Sequence, residues 1–342
     1  MSLFSSKLLA WYDLNKRNLP WRHTNDPYKI WVSEVMLQQT QAVTVIPYYQ
    51  RFIESLPTVF SLAEAEETVI LKLWEGLGYY SRVRNMQKTA LDIVKKYNGI
   101  FPNTLEELKS LKGIGPYTAG AIRSIAFNQK ASAIDGNVSR VLTRQYEIES
   151  DISKPSVMKY LEQLNEPLID DERPSDYTQA IIELGATVCR KTQPLCDQCP
   201  VSDTCLAFRN QRQSEMPYKA KKEPKKVLNF ITFILLDESN GLILYQQKSR
   251  LLEGLYLLPQ IESESLLYAL EWLEEEGFKV LFNESIKTYK HVFTHLIWQM
   301  DVYYVKVIKP ESIESVGNYQ TKPIATAHKR ILDQELDALM TK

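Results

Sequence analysis

All four cysteines of the chain lie within a short stretch near residue 200. Cys189, Cys196, Cys199 and Cys205 follow the spacing C-x6-C-x2-C-x5-C. A disulfide scaffold spreads its cysteines over a small secreted chain, so this crowding indicates a metal site in a reducing compartment. Zinc sites usually contain two close cysteine pairs, whereas a single C-x2-C with two outlying cysteines favours an iron–sulfur cluster. Zinc and four unrelated buried cysteines are the alternatives.

Length and composition set the broad class of the protein. A chain of 342 residues is about twice a typical domain, so two domains are expected. Hydrophobic residues make up 44% and charged residues 24%, which is ordinary for a globular protein. The formal net charge of −1 means that any DNA binding must come from local patches and backbone amides. One basic run, 219–226, is interpreted as a solvated linker, and a second contains Arg82, Arg84 and Lys88.

The sequence predicts neither a membrane span nor a signal peptide. No run approaches ~20 consecutive apolar residues. Charged residues interrupt the first sixteen residues, which predicts an amphipathic helix. We therefore expect a cytoplasmic protein, nucleoid-associated if it is bacterial, with no membrane partner.

The pattern of apolar residues divides the chain into a helical and a mixed part. Residues 1–215 show three- and four-residue spacing with Pro, Gly and Asn between segments, which predicts an all-α region. Residues 216–228 are rich in Lys and Pro and predict a linker. Residues 229–342 predict an α+β domain. The predicted helices include Ile30–Gln41, Val69–Trp74, Arg84–Tyr97, Leu105–Leu111, Tyr117–Phe127 and Ser263–Gly277, and the predicted strands are Asn229–Leu236, Leu242–Gln246 and Val302–Ile308.

The decapeptide Leu111–Gly120 predicts a tight turn between two helices. Gly113 and Gly115 permit unusual dihedral angles and close approach of another backbone. Pro116 then fits the first turn of the next helix, whose free amides can bind phosphate. A plain helix–turn–helix connection is the alternative interpretation. The whole segment resembles the helix–hairpin–helix motif of DNA repair enzymes.

Two further segments, Trp31–Gln41 and Ile134–Val138, flank this hairpin. With the cysteine spacing they resemble the endonuclease III superfamily, and more closely its adenine DNA glycosylase (MutY) branch, from Leu19 into the C-terminal domain. The resemblance implies a helix–hairpin–helix glycosylase with a six-helix module at about 20–130. It also implies a second module, formed by about 1–19 and 131–215, that carries a [4Fe–4S] cluster loop. This resolves the choice between iron and zinc.

The resemblance also implies a catalytic group. Glu34 would protonate adenine at N7 and later assist the attacking water, while ionised Asp135 would stabilise the cationic sugar. Asn137 would orient water or Asp135, and Tyr117 would support the sugar. Relatives with lyase activity have a nucleophilic lysine at the position of Tyr117, so we expect a monofunctional enzyme that leaves the backbone intact. For an isolated glutamate, solvent exposure is the ordinary expectation, and Asp135 is also suited to a helix N-cap.

DNA contacts implied by the resemblance fall into two groups. A wedge would fill the gap left by the flipped base, and an aromatic loop would intercalate beside the opposite base. Core packing is the alternative role for the tyrosines of that loop. The residues are Trp21, Arg22 and Glu183 for the adenine pocket, Gln38, Gln39 and Thr40 for the wedge, Leu77, Gly78 and Tyr79 for the loop, and Gly113 and Gly115 for the phosphate hairpin.

The C-terminal domain resembles a Nudix-like module that reads 8-oxoguanine. Phe293-Thr294-His295 resembles the family's Phe-Ser-His motif, with Thr294 keeping the hydroxyl but adding a methyl group. A plain strand with Phe293 inward is the alternative. The segment Leu270–Phe278 resembles a degenerate Nudix box, which predicts recognition and not pyrophosphate hydrolysis, and a solvated helix face is the alternative.

The resulting hypothesis is a monomeric glycosylase that removes adenine mispaired with 8-oxoguanine or guanine in duplex DNA. A glycosylase/lyase of endonuclease III type and a non-enzymatic damage binder are the alternatives. The sequence leaves open an alkali ion at the hairpin, contacts with sliding clamps or mismatch-repair proteins, and the redox role of the cluster.

Overall fold

The computed structural model describes residues 2–220, 223–248 and 251–340. Lys221 and Lys222 of the basic run lie outside the described residues. The chain forms two compact units, Met1–Ala65 with Ser81–Lys221, and Glu66–Tyr80 with Lys222–Lys342. The second unit therefore includes a segment from the predicted all-α region. The domain limits given above remain predictions.

The first unit is helical. Asp26 caps α2 by accepting a hydrogen bond from Tyr28 N, with Pro27 at the first helical position. Short polar caps of this kind also begin α4 and α7. The helices are α1 Leu3–Asn15, α2 Pro27–Leu37, α3 Ala42–Ser55, α4 Val59–Glu64, α6 Ser81–Tyr97, α7 Leu105–Ser110, α8 Pro116–Ala121, α9 Gly136–Gln145, α10 Pro155–Asn165, α11 Pro174–Thr187 and α12 Leu206–Arg209, while α5 Glu67–Leu73 belongs to the second unit.

Most of the predicted helices are confirmed, but α2 ends earlier than expected. It stops at Leu37, and the following turn places Gln39 in the left-handed region, with φ 61°. The Arg82 guanidinium donates to the carbonyls of Val35 and Gln38, both at 2.7 Å. The last carbonyls of a helix have no N–H partner within that helix, and here a side chain from α6 donates to carbonyls at the helix end.

The N-terminal helix packs into the core of the later helices. Leu8, Leu142, Leu161 and Leu184 are fully buried in one cluster shared by α1, α9, α10 and α11. The predicted N-terminal helix is thus confirmed, and its buried face positions α9 and α11. No helix among the described residues is long and apolar enough to cross a membrane.

The second unit contains a mixed sheet with a helix on each face. The sheet has the order β6-β7-β1-β2-β8, with β5 also paired to β1. Successive residues of β1 point to opposite faces of the sheet. Ile234 belongs to the apolar cluster that contains Leu332 of α14, and Phe233 belongs to the cluster that contains Leu273 of α13. The elements are β1 Lys226–Leu236, β2 Leu242–Ile243, β3 Tyr245–Gln246, β4 Tyr256–Leu257, β5 Gln260–Glu262, α13 Leu266–Glu275, β6 Lys279–Val292, β7 Leu296–Ile308, β8 Ser315–Val316 and α14 Thr326–Met340.

Strand β6 corrects the predicted strand list. It was not predicted, because its mostly exposed residues give no apolar run, and it forms an edge of the sheet. The predicted β1–β2 hairpin is confirmed, with Leu236 paired to Leu242. The predicted strand Leu242–Gln246 is divided, since β2 and β3 join different sheets.

Candidate active site

A cavity of about 1540 Å³ opens in the first unit. It is bounded by α2, the hairpin before α8, the start of α9 and the middle of α11. Most residues assigned from the sequence to this unit meet here. Those in the cavity wall are Trp21, Arg22, Glu34, Gln38, Gln39, Thr40, Gly113, Gly115, Tyr117, Asp135, Asn137 and Glu183.

Glu34 is a buried carboxyl in the cavity wall. It lies on α2 with 5% of its surface exposed, which excludes the solvent-exposed alternative. Burial raises the pKa of Glu34 to about 7, against a lowering by the hydrogen bond from Tyr117. The Tyr117 hydroxyl donates to Glu34 Oε2 at 2.5 Å. Burial also holds the pKa of Tyr117 well above its usual value, so the phenol remains a donor. Glu34 can therefore carry a proton near neutral pH.

Asp135 caps a helix, as its sequence position suggested, and also lies in the cavity wall. Its Oδ1 accepts from the backbone N–H groups of Asn137 and Val138 at 2.8 and 2.7 Å, which caps α9. Its Oδ2 accepts from the Asn137 side chain at 2.8 Å, and Asp135 also lines the cavity. Burial raises the pKa of Asp135, while these donors oppose the change. Three donated hydrogen bonds stabilise the ionised form that a cation-stabilising group requires.

Arg140 connects this end of α9 to the cysteine segment. Its guanidinium donates to Asn137 Oδ1 at 2.9 Å, to the Gly185 carbonyl at 2.7 Å and to the Cys189 carbonyl at 2.7 Å. One turn later, Arg144 donates to Cys189 Sγ at 3.4 Å. Sequence reasoning missed both arginines, although their four-residue spacing on one helix face was a visible signal.

Glu183 is held as an anion in the cavity wall. Arg17 donates to both carboxylate oxygens, from Nε to Oε1 at 2.7 Å and from Nη2 to Oε2 at 2.8 Å, and Arg22 Nη2 donates to Oε2 at 2.7 Å. Burial acts to raise the pKa of Glu183, but hydrogen bonds from Arg17 and Arg22 outweigh it and lower that pKa. The sequence identified Arg22 and Glu183 but missed Arg17. Trp21 packs edge-on against Tyr49 beside this network.

The four thiols lie between α11 and α12, and none forms a disulfide. Burial raises the pKa of Cys199 to about 12, and the other three thiols add to this by charge repulsion. The four sulfurs are therefore close enough to influence each other. Within the described residues, no three His, Cys, Asp or Glu side chains form a group suited to a single metal ion.

The hairpin has the backbone geometry that its glycines suggested. Gly113 lies at φ 84°, and a Cβ there would stand 3.0 Å from Asn85 Cβ. Gly115 caps α8 and has open space where a Cβ would lie. Both line the cavity wall, so a backbone could approach them closely.

The aromatic loop of Leu77, Gly78 and Tyr79 belongs to the second unit. Gly78 and Tyr79 adopt φ 66° and 49°, and the Trp74 indole donates to the Gly78 carbonyl at 3.1 Å. Tyr79 is 46% exposed and Tyr80 only 5%, so of the two tyrosines only Tyr80 fits the core interpretation. Leu77 is buried.

The Phe-Thr-His segment lies in the β6–β7 turn, outside both strands. Phe293 packs against Trp298 with ring centroids 4.8 Å apart, and His295 is exposed. The Thr294 hydroxyl donates to the Tyr79 hydroxyl at 3.3 Å. The structure thus brings Tyr79 and Thr294 together, although 215 residues separate them.

Comparison with known proteins identifies the relatives of this chain. Residues 32–167 match the family model "HhH-GPD superfamily base excision DNA repair protein". An adenine DNA glycosylase of Buchnera aphidicola is 35% identical over 92% of this chain and 89% of its own length. The human adenine DNA glycosylase is 46% identical over 63% of this chain, which spans 41% of that protein.

Solved structures agree on the fold of the helical part. A thermostable thymine-DNA glycosylase matches 61% of this chain and 96% of its own chain, with 27% identity and a TM-score of 0.56. An endonuclease III in a DNA complex covers 61% of this chain and 94% of its own, with 24% identity and a TM-score of 0.50. The chain belongs to the adenine DNA glycosylase branch of the helix–hairpin–helix superfamily of base excision DNA repair proteins.

Proposed function

We propose that the protein is a monofunctional DNA glycosylase that removes adenine opposite 8-oxoguanine or guanine in duplex DNA. The observation that carries this proposal is the buried Glu34, whose pKa of about 7 lets it hold a transferable proton beside Asp135. A pair of carboxyl groups whose environments give them different roles is what glycosidic bond cleavage requires. The family supports adenine as the base.

The proposed reaction has two steps. Glu34 transfers its proton to adenine N7, the C1′–N9 bond breaks, and its electron pair leaves with the base. Ionised Asp135 stabilises the positive charge that remains on the sugar. A water molecule then adds through oxygen to C1′ and gives its proton to the Glu34 carboxylate, which restores the acid. The products are free adenine and an abasic site in an unbroken strand.

Hydrogen-bonded neighbours assist these two carboxyl groups. Tyr117 donates to Glu34 Oε2, so it holds the carboxyl in one orientation. Asn137 fixes Asp135 through Oδ2, and Arg140 in turn fixes Asn137. We assign the Glu183 anion and its two arginines to the wall of the base pocket, because their paired charges give it fixed polarity.

Base removal requires the adenine to leave the stack. We assign Gln38, Gln39 and Thr40 to the wedge, since they form a polar turn at the edge of the cavity. We assign the open amides at Gly113 and Gly115 to a DNA phosphate, as expected at a helix N-terminus. Tyr79 and Thr294 would contact the base opposite the adenine, through stacking and a hydroxyl group.

Four cysteines fit a [4Fe–4S] cluster as its ligands. Cys189, Cys196, Cys199 and Cys205 are free thiols within electrostatic reach of each other, and Arg144 offers a hydrogen bond to one of them. When bound, the cluster would brace the 189–205 segment behind α9 and α11. No step of the proposed reaction passes through it.

The absence of a lysine at position 117 supports a reaction without strand cleavage. Tyr117 occupies the site beside Glu34 where a lyase needs an amine nucleophile. Two other amines, Lys109 and Lys112, line the cavity near the hairpin. Lyase activity from either one is the outcome that an experiment must be able to detect.

The test is excision from a labelled duplex with one adenine opposite 8-oxoguanine, analysed with and without hot alkali. Strand breaks that require alkali are expected, and they should disappear in Glu34→Gln. Breaks without alkali would show a lyase and contradict the monofunctional assignment. Absence of breaks under both conditions, in protein with a full iron content, would contradict adenine excision.

A further inference from the structure

A buried carboxylate lies at the start of the Tyr79 loop. Glu75 is the second residue after the end of α5, and only 6% of its side chain is exposed. Lys72 forms an ion pair with Glu75 Oε2, one helical turn earlier. Lys329 of α14 lies 3.8 Å from Glu75 Oε1. Within the described residues, Glu75 Oε1 makes no hydrogen bond, so Lys329 is its charged neighbour.

The same two lysines connect α5 with the region around α14. Lys72 Nζ donates to the Lys322 carbonyl at 3.0 Å, and about a third of each lysine side chain is exposed. Partial burial makes such a pair stronger than a surface ion pair, because less water screens the charges. Removing one partner would leave the other charge partly desolvated and unbalanced.

The far end of the loop is held by a hydrogen bond between the hydroxyl groups of Thr294 and Tyr79. Tyr79 has a φ of 49°, a backbone conformation that a residue with a side chain adopts only with support from its surroundings. Thr294 donates to the Tyr79 hydroxyl, and Trp74 donates to the Gly78 carbonyl. The loop is thus fixed at its start by charge and at its tip by a hydrogen bond.

We propose that Glu75 is a positioning residue for recognition of the base opposite the adenine. Through Lys329 it holds the loop 76–80 where Tyr79 and Thr294 form one recognition surface. This inference rests on the proposed function, because it assumes that these two residues read the opposite base. Glu75 itself would touch neither base.

The experiment compares single-turnover excision of adenine opposite 8-oxoguanine with excision opposite guanine. Glu75→Gln and Lys329→Met each remove one charge with little change in size. Each should lower the ratio of the two rates about tenfold, as expected for partly buried coupled charges. The double variant should be no worse than either single variant. Asp333→Asn is the matched control, because Asp333 also pairs with Lys329, at 3.2 Å, and should leave the ratio unchanged.

A second measurement does not depend on turnover. In a Glu34→Gln background, the ratio of dissociation constants for the two duplexes should shift by a similar factor. Equal loss on both duplexes, additive effects in the double variant, or an unchanged ratio would each overturn the proposal. Failure of the wild type to excise adenine opposite 8-oxoguanine would instead overturn the proposed function.

Discussion

At the scale of single residues, the protonation of Glu34 determines what the cavity can do. Burial outweighs the hydrogen bond from Tyr117 and the charge of Arg22, and raises the pKa of this carboxyl to about 7. Glu34→Gln keeps the size and polarity of the side chain but removes its proton. Excision should fall by about 10²–10⁴-fold, the usual contribution of a general acid, while duplex binding stays within a few-fold. Single-turnover rates and binding isotherms check this, and near-normal turnover would exclude the assigned role.

The hydrogen bond from Tyr117 predicts a shift in the pH–rate profile. This bond favours the ionised form of Glu34 and lowers its pKa, so Tyr117→Phe should raise that pKa further. Because the reaction needs protonated Glu34, the alkaline limb of the profile should move by about one pH unit to higher pH. A limb that stays in place or moves to lower pH would contradict the argument.

Burial of Glu34 also makes a prediction about stability. The unfolded carboxyl releases its proton near pH 4.5, whereas the folded protein retains it to about pH 7. The folded state binds more protons in this window, so stability falls as pH rises through it, by up to about 3 kcal/mol. Glu34→Gln has no such ionisation. The free energy of unfolding of this variant relative to wild type should therefore be about 2 kcal/mol larger at pH 8 than at pH 5. Denaturant unfolding of both proteins at pH 5 and at pH 8 measures this change. A difference in stability between variant and wild type that is the same at both pH values would contradict the argument.

At the scale of elements, the close approach of α11 to α9 positions Asn137. A Cβ at Gly185 would stand 2.6 Å from Asn137 Cβ and 2.9 Å from the Asn137 carbonyl oxygen. Gly185→Ala should therefore separate the helices, destabilise the fold by about 1–3 kcal/mol and lower excision through misplacement of Asp135. Gly136→Ala is the control, because a Cβ there meets no atom within 4 Å. Equal melting temperatures for the two variants would refute this account.

The sequence predicted those helices and strands whose apolar residues recur with a regular local spacing. The helices α6 and α13 and the strand β1 followed from apolar spacing and flanking turn residues. The edge strand β6 was missed because exposed strands carry no apolar signal. The early end of α2 was missed because a distant arginine from α6 satisfies its carbonyls. Tertiary contacts of this kind leave no periodic signal.

At the scale of the whole molecule, the family resemblance named residues that the structure places in the wall of one cavity. Glu34, Asp135 and Tyr117 meet in one cavity, although nothing in their local sequence requires it. Arg17 and Arg140 were not identified, because their hydrogen bonds to Glu183 and Asn137 form only in the folded chain. The pairing of residues 66–80 with the C-terminal residues was equally invisible, since it depends on charges far apart in the chain.

The cysteine segment links distant parts of the first unit, so loss of its cluster should affect the whole molecule. If the four cysteines hold a [4Fe–4S] cluster, the purified protein should contain about four iron and four sulfide ions per chain. Cys205→Ser removes one ligand and should lower both contents, the thermal midpoint and duplex affinity together, because α12 follows Cys205 and packs on α9. Asp203→Asn changes an exposed residue in the same segment and should alter none of these. Stoichiometric zinc with no sulfide would show that the thiols bind a single ion. Full iron content in Cys205→Ser would show that Cys205 is not a ligand.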